Sequence, residues 1–530
     1  MNASTTNSQD DKKEPEPITS LIHKEVHYRF YGMNLFFDLS MGLFSSNSVD
    51  TGTDLLLRHL RKTVDASKIR TVLDAGCGTG VIGISLKKAH PHLLVTALDR
   101  DSLALEFTKR NADKNGTEIE VLPGLDVIPL QVTLEGFFPP QSSHSSAFIT
   151  ESAQSFPKRE CQLIGNLKSF DLIATNIPAK AGRPVLKRFM KNGLSLLAPG
   201  GILGIVIVDT LRDTAAEIAS ECSAKTLYRF DGKRHTVYLF TAETTDKMRE
   251  TESKIIMEAP SSPVIGREVA AGITDTSFPG PYLRNFQSFS TGDITYNLGT
   301  VFDLPGFDTV PFGAAMAAKS VKTIKTNSRT NGASNAKRIN FCLTAYNPQQ
   351  GHAVLCILSE LFGINQNPVL HNDAQAEESF SNRSRVKDQH ILVQLAGRDL
   401  LALYTSAWNI QGSFPQCEIT INHLPSVEFL ADELSAGRLR PADIMHMSPD
   451  PVPKVSWYEQ LLSMINTSIS SPGSSLHPRL PAEILLLTAR SSVLSAFEHG
   501  IPGYAKKLSK KSRGFKSLQY QSLYYDNTLF

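Results

Sequence analysis

The sequence predicts an α/β protein in which one architecture, a mostly parallel sheet covered by helices on both faces, is laid down twice. Three observations carry that expectation. Short β-branched and apolar runs alternate with helical patterns from Glu25 to Phe240, one of those runs ends in a glycine turn, and the second half repeats segments of the first in the same order. The expected strands are Thr71–Ala75, Leu93–Asp99, Glu118–Leu122, Asp171–Thr175 and Ile202–Val208. Val81–Lys88 reads as the helix that leaves the glycine turn. Leu103, Ala104 and Phe107 mark the buried face of another helix, opened by Asp101 or Ser102 as its cap.

Length and charge set the bounds. A chain of 530 residues is too long for one core, and roughly three domains is the length-based expectation. Composition divides it into a polar, disordered tail at 1–21, a first α/β unit at 22–245, a linker rich in Pro, Gly and Ser at 246–288 and a second unit at 289–530. Lys and Arg number 54 against 52 Asp and Glu, a net charge of +2, so any attraction to nucleic acid has to be local. The six cysteines show neither C-x-x-C spacing nor His partners at metal-ligand spacing, which points to reduced thiols, a cytoplasmic protein and no metal site. The apolar stretch Leu196–Val208 is broken by Pro199, Gly200, Gly201 and Gly204 and falls short of the roughly 20 residues that span a bilayer. No membrane partner is expected, and oligomeric state is not legible.

The run Val72-Leu73-Asp74-Ala75-Gly76-Cys77-Gly78-Thr79-Gly80, with Asp99 nineteen residues beyond it, describes a nucleoside crevice. A strand ends, glycines let backbone N–H groups approach a ligand, a helix begins, and an acid at the tip of the next strand can accept from both ribose hydroxyls. Cys77 reads as a small turn residue. An acid two residues before the first glycine distinguishes the string from the G-x-G-x-x-G of dinucleotide sites. It resembles the first motif of class I S-adenosylmethionine-dependent methyltransferases. The resemblance continues through Gly124, Leu125 and Asp126, where that family reads the adenine, and through Asp171-Leu172-Ile173-Ala174-Thr175-Asn176-Ile177-Pro178, its fourth motif. The segment Phe44-Ser45-Ser46-Asn47-Ser48-Val49-Asp50-Thr51-Gly52-Thr53 resembles the motif ahead of the sheet in the "methyltransferase small" family.

That resemblance spans most of residues 25–240 and implies a seven-stranded, Rossmann-like class I fold with S-adenosyl-L-methionine as cofactor. It implies Asp74, Gly76, Gly78, Gly80, Asp99 and Asp126 as cofactor-binding residues, with Thr51 and Gly52 at a helix start able to meet a carboxylate. Ribosomal RNA members of the small family methylate guanine N2. Some are tandem, with the active half second, whereas here the intact half comes first.

The second half is a faded copy. Gly397-Arg398-Asp399-Leu400-Leu401-Ala402-Leu403 followed by Asn409 repeats Asp99-Arg100-Asp101-Ser102-Leu103-Ala104-Leu105 followed by Asn111. Four further segments match in the same order, among them Phe302–Thr309 against Phe44–Thr51 and Leu343–Ala345 against Leu73–Ala75, so tandem duplication is the better reading. The chemistry has been lost from the copy. Tyr346, Asn347 and Pro348 stand where the first half has Gly76, Cys77 and Gly78, Gly397 replaces Asp99, and Ser448 replaces Asn176. No cofactor is expected there. The polar insertion at 365–389 reads as a surface loop.

Asn176, Ile177 and Pro178 are the candidate catalytic residues. The Asn176 side-chain oxygen and the Ile177 carbonyl can both accept from a target NH2 and draw its nitrogen toward a pyramidal shape, while Pro178 stiffens the turn. The family follows this proline with an aromatic, and here Ala179 stands instead, so a ring would have to come from Phe36, Phe37 or Phe44. Lys180 and Arg183, with Lys187, Arg188 and Lys191, could contact phosphates or form a solvated face. Lys506, Lys507, Lys510 and Lys511, with Arg513, Lys516 and the rings of Phe515, Tyr520, Tyr524 and Tyr525, read as a basic tail suited to single-stranded RNA. The leading expectation is an RNA N-methyltransferase acting on a guanine amino group, with a substrate-holding second half. The alternatives are a protein glutamine or small-molecule methyltransferase and a noncatalytic scaffold that binds RNA or a partner.

Overall fold

The computed structural model describes residues 17–129, 169–177, 182–243, 279–306, 309–330, 340–363, 390–449, 452–470 and 480–524. The first half opens with a hairpin of β1 (Lys24–Phe30) and β2 (Met33–Leu39), followed by α1 (Thr51–Thr63), β3 (Thr71–Ala75), α2 (Val81–Ala89), β4 (Leu94–Asp99) and α3 (Ser102–Lys114). It continues through β5 (Glu120–Leu125), β6 (Ile128–Pro129), β7 (Phe170–Asn176), α4 (Arg183–Ser195), β8 (Leu197–Val208), α5 (Arg212–Glu221), β9 (Ala224–Asp231) and β10 (His235–Ala242). The second half repeats the plan: a hairpin of β11 (Leu283–Thr291) and β12 (Ile294–Val301), then α6 (Phe312–Thr330), β13 (Asn340–Tyr346), α7 (His352–Phe362), β14 (His390–Gly397), α8 (Leu400–Ser413) and β15 (Cys417–His423). After these come α9 (Leu430–Ser435), β16 (Ala442–Met447), α10 (Trp457–Ser470), β17 (Ala482–Arg490), β18 (Tyr504–Ser512) and β19 (Phe515–Ser522).

The two sheets have the same strand order. The first runs β6-β5-β4-β3-β7-β8-β10-β9 and the second β15-β14-β13-β16-β17-β19-β18. In each, five strands are parallel and the strand entering last is antiparallel to its neighbours. The expected seven strands become eight in the first half because the two residues of β6 fold back antiparallel on β5. The chain fills one side of β3 with β4 and β5 and then returns to its other side with β7, so the strand order reverses at the C-terminal ends of β3 and β7. Such a reversal opens a crevice between diverging loops, and it is where ligands sit in open parallel sheets.

Period-two burial explains the layers. Leu73, Ile173 and Leu203 point to one face of the first sheet, where Leu186, Met190 and Ile218 of α4 and α5 cover them. Val72, Leu172 and Val206 point to the other, under Leu56, Leu57 and Leu60 of α1, Ile82 and Ile84 of α2, and Leu35 and Phe37 of the first hairpin. One identity in the repeat has a direct structural cause. Asn111 accepts from the Asp38 N–H and donates to the Asp38 and Thr79 carbonyls, at 2.8, 3.1 and 2.9 Å. Asn409 does the same with Gly299 N–H and the Gly299 and Gln350 carbonyls, at 2.8, 2.9 and 2.9 Å. Each asparagine clips a hairpin to the turn after the first strand of its sheet.

Two boundaries differ from the sequence reading. Pro17–Leu21, assigned to a disordered tail, form a 3-10 turn whose Ile18 and Leu21 pack on Leu103 and Phe107. The second unit begins before 289, because Tyr282 is buried in the apolar cluster between the halves and β11 starts at Leu283. The segment 139–158, the insertion 365–389 and Tyr525 lie outside the described residues. Among the described residues, no helix is long and apolar enough to cross a membrane.

Candidate functional site

The glycine turn after β3 is built as a cradle. Gly76 and Gly78 hold φ values of +73° and +57°, a region that favours glycine, and a Cβ at either would meet nothing within 4 Å. Gly80, at φ +82°, is different: a Cβ there would lie 2.6 Å from Ile84 Cδ1, so this glycine serves the close packing of α2. Cys77 N–H and Gly76 N–H both donate to the Leu98 carbonyl, which ties the turn to β4. Burial holds the Cys77 thiol well above its ordinary pKa and keeps it inert.

Two acids face this turn. Asp74 is fully buried; its Oδ2 accepts from Gly83 N–H at 2.8 Å, whereas Oδ1 finds no hydrogen-bond partner among the described residues. Desolvation, opposed by the Gly83 bond and reinforced by Asp99, pushes its pKa up to about 7. Asp99 accepts from Gly78 N–H through Oδ2 and from Asp101 N–H through Oδ1, both at 2.9 Å. Desolvation and the neighbouring Asp101 raise its pKa to about 6. A ligand with a cationic group for the orphaned oxygen of Asp74 and hydroxyl donors for Asp99 satisfies both acids. The amino and ribose groups of S-adenosylmethionine have that chemistry, so the residues present fit this cofactor.

Asn176, the last residue of β7, lies across the crevice. Its Nδ2 donates to Asp50 Oδ2 at 2.7 Å and to Thr53 Oγ1 at 3.0 Å. Asp50 is the N-cap of α1, and the same oxygen accepts from Gly52 and Thr53 N–H at 2.8 and 3.0 Å. A carboxylate only accepts at this pairing, so it fixes which end of the amide faces it. Oδ1 of Asn176 is the atom left to accept from a third party. Ile177 is anchored by its N–H to the Val206 carbonyl at 3.1 Å, while Pro178, Ala179 and Lys180 lie outside the described residues.

Asp50 and Thr53 were missed as partners of Asn176, although the D-x-x cap ahead of the leucines of α1 was a visible signal. The Gly52 N–H, assigned to a cofactor carboxylate, is taken by Asp50, and Thr51 stands beside it at an exposed position. Asp126 departs further from its expected role of reading adenine. Its side chain is 6% exposed, Oδ2 pairs with Arg188 Nε at 3.1 Å, and Tyr282 Oη donates to Oδ1. Arg188 is itself buried and requires that counter-charge.

The basic clusters divide. Arg183 pairs with Glu217 and Glu221 of α5, and Lys187 with Glu221, so much of this face is neutralised within the protein. Lys506, Lys507, Lys510 and Lys511 lie on β18, the edge strand of the second sheet, and not on a free tail. Lys506 and Lys516 pair with Glu498, Lys510 donates to the Lys319 carbonyl, and Tyr520 is buried with its hydroxyl on the Phe497 carbonyl. Tyr520 is thus withdrawn from the lysines, whereas Tyr524 is 49% exposed and Lys507, Lys511 and Arg513 remain exposed. Lysines along an edge strand also discourage pairing with other sheets.

Of the three phenylalanines proposed to replace the missing ring, Phe37 is buried in the core, and the backbone of Phe36 is pinned to Asn115 at the far end of α3. Phe44 is 75% exposed on the segment that leads to Asp50. In the second half the turn survives without its cradle: Asn347 N–H donates to the Ala396 carbonyl as Cys77 does to Leu98, but Gln350 is buried against Val301 N–H and the Pro305 carbonyl. Among the described residues no cluster of three or more His, Cys, Asp or Glu is arranged to hold a metal.

Residues 34–128 match the Methyltransferase small domain. Ribosomal RNA small subunit methyltransferase C of Stutzerimonas stutzeri strain A1501 is 34% identical over 131 residues, covering 24% of this chain and 38% of that protein. The protein of the same name from Pseudomonas putida strain F1 is 40% identical over 95 residues, covering 18% of this chain and 27% of that protein. The matches thus span well under half of these curated relatives. Among solved structures, the T. thermophilus 16S rRNA N2 G1207 methyltransferase in complex with AdoMet and guanosine aligns over 95% of this chain and 99% of that chain, at 12% identity and a TM-score of 0.48.

Proposed function

We propose that the first half, a class I S-adenosylmethionine-dependent methyltransferase domain, methylates the exocyclic amino group of a guanine in small-subunit ribosomal RNA. The observation that carries this reading is the orientation of Asn176, whose amide hydrogens are taken by Asp50 and Thr53 so that Oδ1 is left for a donor on the substrate. The bound cofactor would supply an electrophilic methyl group. An amino group conjugated to a base is a poor nucleophile because its lone pair is delocalised. Accepting its hydrogens at Asn176 Oδ1 and the Ile177 carbonyl turns that lone pair out of the ring and aims it along the line of attack. Asp99 holds the ribose and Asp74 the amino end, so the cradle of Gly76 and Gly78 fixes the direction from which the methyl is presented.

The names of the relatives support ribosomal RNA as acceptor, and the resemblance to the small family supports guanine N2. Phe44 is the ring proposed to lie on the target base in place of an aromatic at Ala179. Lys507, Lys511 and Arg513 are proposed as remote phosphate contacts in a chain whose net charge is only +2. The test is tritiated methyl transfer from S-adenosylmethionine to ribosomal subunits, total protein and small metabolites of a lysate, with wild type and Asn176→Ala. The reading requires label in ribosomal RNA with the wild type alone.

A further inference from the structure

The ribose acid is held from the other half of the molecule. Asp99 Oδ1 accepts from Asp101 N–H, and Asp101, the N-cap of α3, bonds Leu103 N–H at 3.0 Å through Oδ1 while its Oδ2 receives the Arg398 guanidinium at 2.8 Å. Arg398 belongs to the turn of the second half that repeats the one carrying Asp99. The two turns pair as a short antiparallel ladder, with Ser102 N–H on the Arg398 carbonyl at 3.0 Å and Leu400 N–H on the Arg100 carbonyl at 2.9 Å. Arg100 in return faces Asp399 at 3.4 Å and Asp303 at 2.8 Å.

The pairing is therefore two-fold in its logic. Arg100 meets Asp399 as Arg398 meets Asp101, which explains why both halves keep Arg-Asp where the second has dropped the ribose acid. One group breaks the symmetry. His423, at the register position where the first half has Pro123, places Nε2 at 2.9 and 2.8 Å from the Arg100 and Arg398 carbonyls. Both are acceptors, so Nε2 carries the proton, and burial lowers the pKa of the ring against the raising effect of those bonds and of Asp101 and Asp399. Arg398 also donates to the Gly42 carbonyl, two residues before Phe44.

We propose that the second half, though it lacks the glycine turn, is a positioning element for the cofactor of the first: Arg398 orients Asp99 toward the ribose through Asp101. The inference rests on the cofactor site proposed above. Without Arg398, Asp101 loses its ion pair, the turn gains freedom, and Asp99 spends part of its time away from the hydroxyls it should accept.

Calorimetric titration with S-adenosylhomocysteine and its 2′-deoxy counterpart tests this without reference to activity. Arg398→Ala should weaken S-adenosylhomocysteine about tenfold, and the loss should shrink to about twofold with the 2′-deoxy ligand, which has one fewer hydroxyl for Asp99. Arg398→Lys should restore part of the affinity. Asp101→Asn, which keeps the helix cap, should give the same ligand dependence in a fully folded protein. Equal losses for the two ligands would show a merely structural turn and overturn the proposal, as would unchanged affinity in Arg398→Ala while Asp99→Ala binds weakly. If Asp99→Ala itself binds as the wild type does, the underlying site assignment fails, and this proposal with it.

Discussion

At the scale of single residues, the proposed site leaves atoms unsatisfied in chosen directions. In the proposed mechanism Asn176 acts through the orientation that Asp50 imposes, so Asn176→Ala should lower turnover by about 100-fold or more while leaving calorimetric affinity for S-adenosylmethionine nearly intact. Asp50→Ala removes the one oxygen that both caps α1 and fixes the amide, so melting temperature and turnover should fall together. Phe44→Ala should raise the RNA KM and leave cofactor affinity alone. In the proposed site both Asp74 and Asp99 bind the cofactor as carboxylates. With their pKa values raised to about 7 and about 6, cofactor affinity should decline as pH falls through 7 and then 6, and Asp99→Asn should remove the lower step of that profile. The linked stability runs in the opposite sense: a raised carboxyl pKa contributes stability below the ordinary value that is lost as pH rises through 6. The glycine turn and the acid that faces it were legible in the sequence because few residue types can take those backbone angles. Asp50 acting on Asn176 was not, since the two are 126 positions apart and only the packing of α1 against β7 and β8 joins them. Asp126 was misread for the same reason: its partner Arg188 is remote in sequence.

At the scale of elements, the turn after β3 separates glycines for a ligand from glycines for packing. Gly78→Ala, at φ +57° and facing open space, should cost about 1–2 kcal/mol in backbone strain and weaken cofactor binding by more than that strain explains. Gly80→Ala should instead depress the melting temperature more, because its methyl enters the space of Ile84 and Thr108. Thermal denaturation and calorimetry on the two variants separate these outcomes. β3 and β7 were readable because they are short, mostly buried runs rich in apolar and β-branched residues. The hairpin β1–β2 and the pair β9–β10 were not, since Lys24, Glu25, His27 and Arg29 alternate with a half-exposed face that resembles a polar loop. β18 shows the same ambiguity, its lysines concealing a strand whose pairing to β19 is fixed only by tertiary context.

At the scale of the whole molecule, a duplicated fold has kept its docking turns in both copies and its cofactor chemistry in one. Titration with S-adenosylmethionine should therefore give one site per chain. Replacing Lys507, Lys511 and Arg513 by glutamine should flatten the logarithmic salt dependence of RNA binding by about 2–3 units if all three meet phosphate, and an unchanged slope would leave them as guards of an open sheet edge. The most direct test of the central claim is to identify the methylated nucleoside when wild type and Asn176→Ala act on small-subunit ribosomal RNA at saturating cofactor. The wild type should give N2-methylguanosine and the variant about 100-fold less at equal cofactor occupancy. Label confined to protein or small molecules, or a variant as active as the wild type, would contradict it.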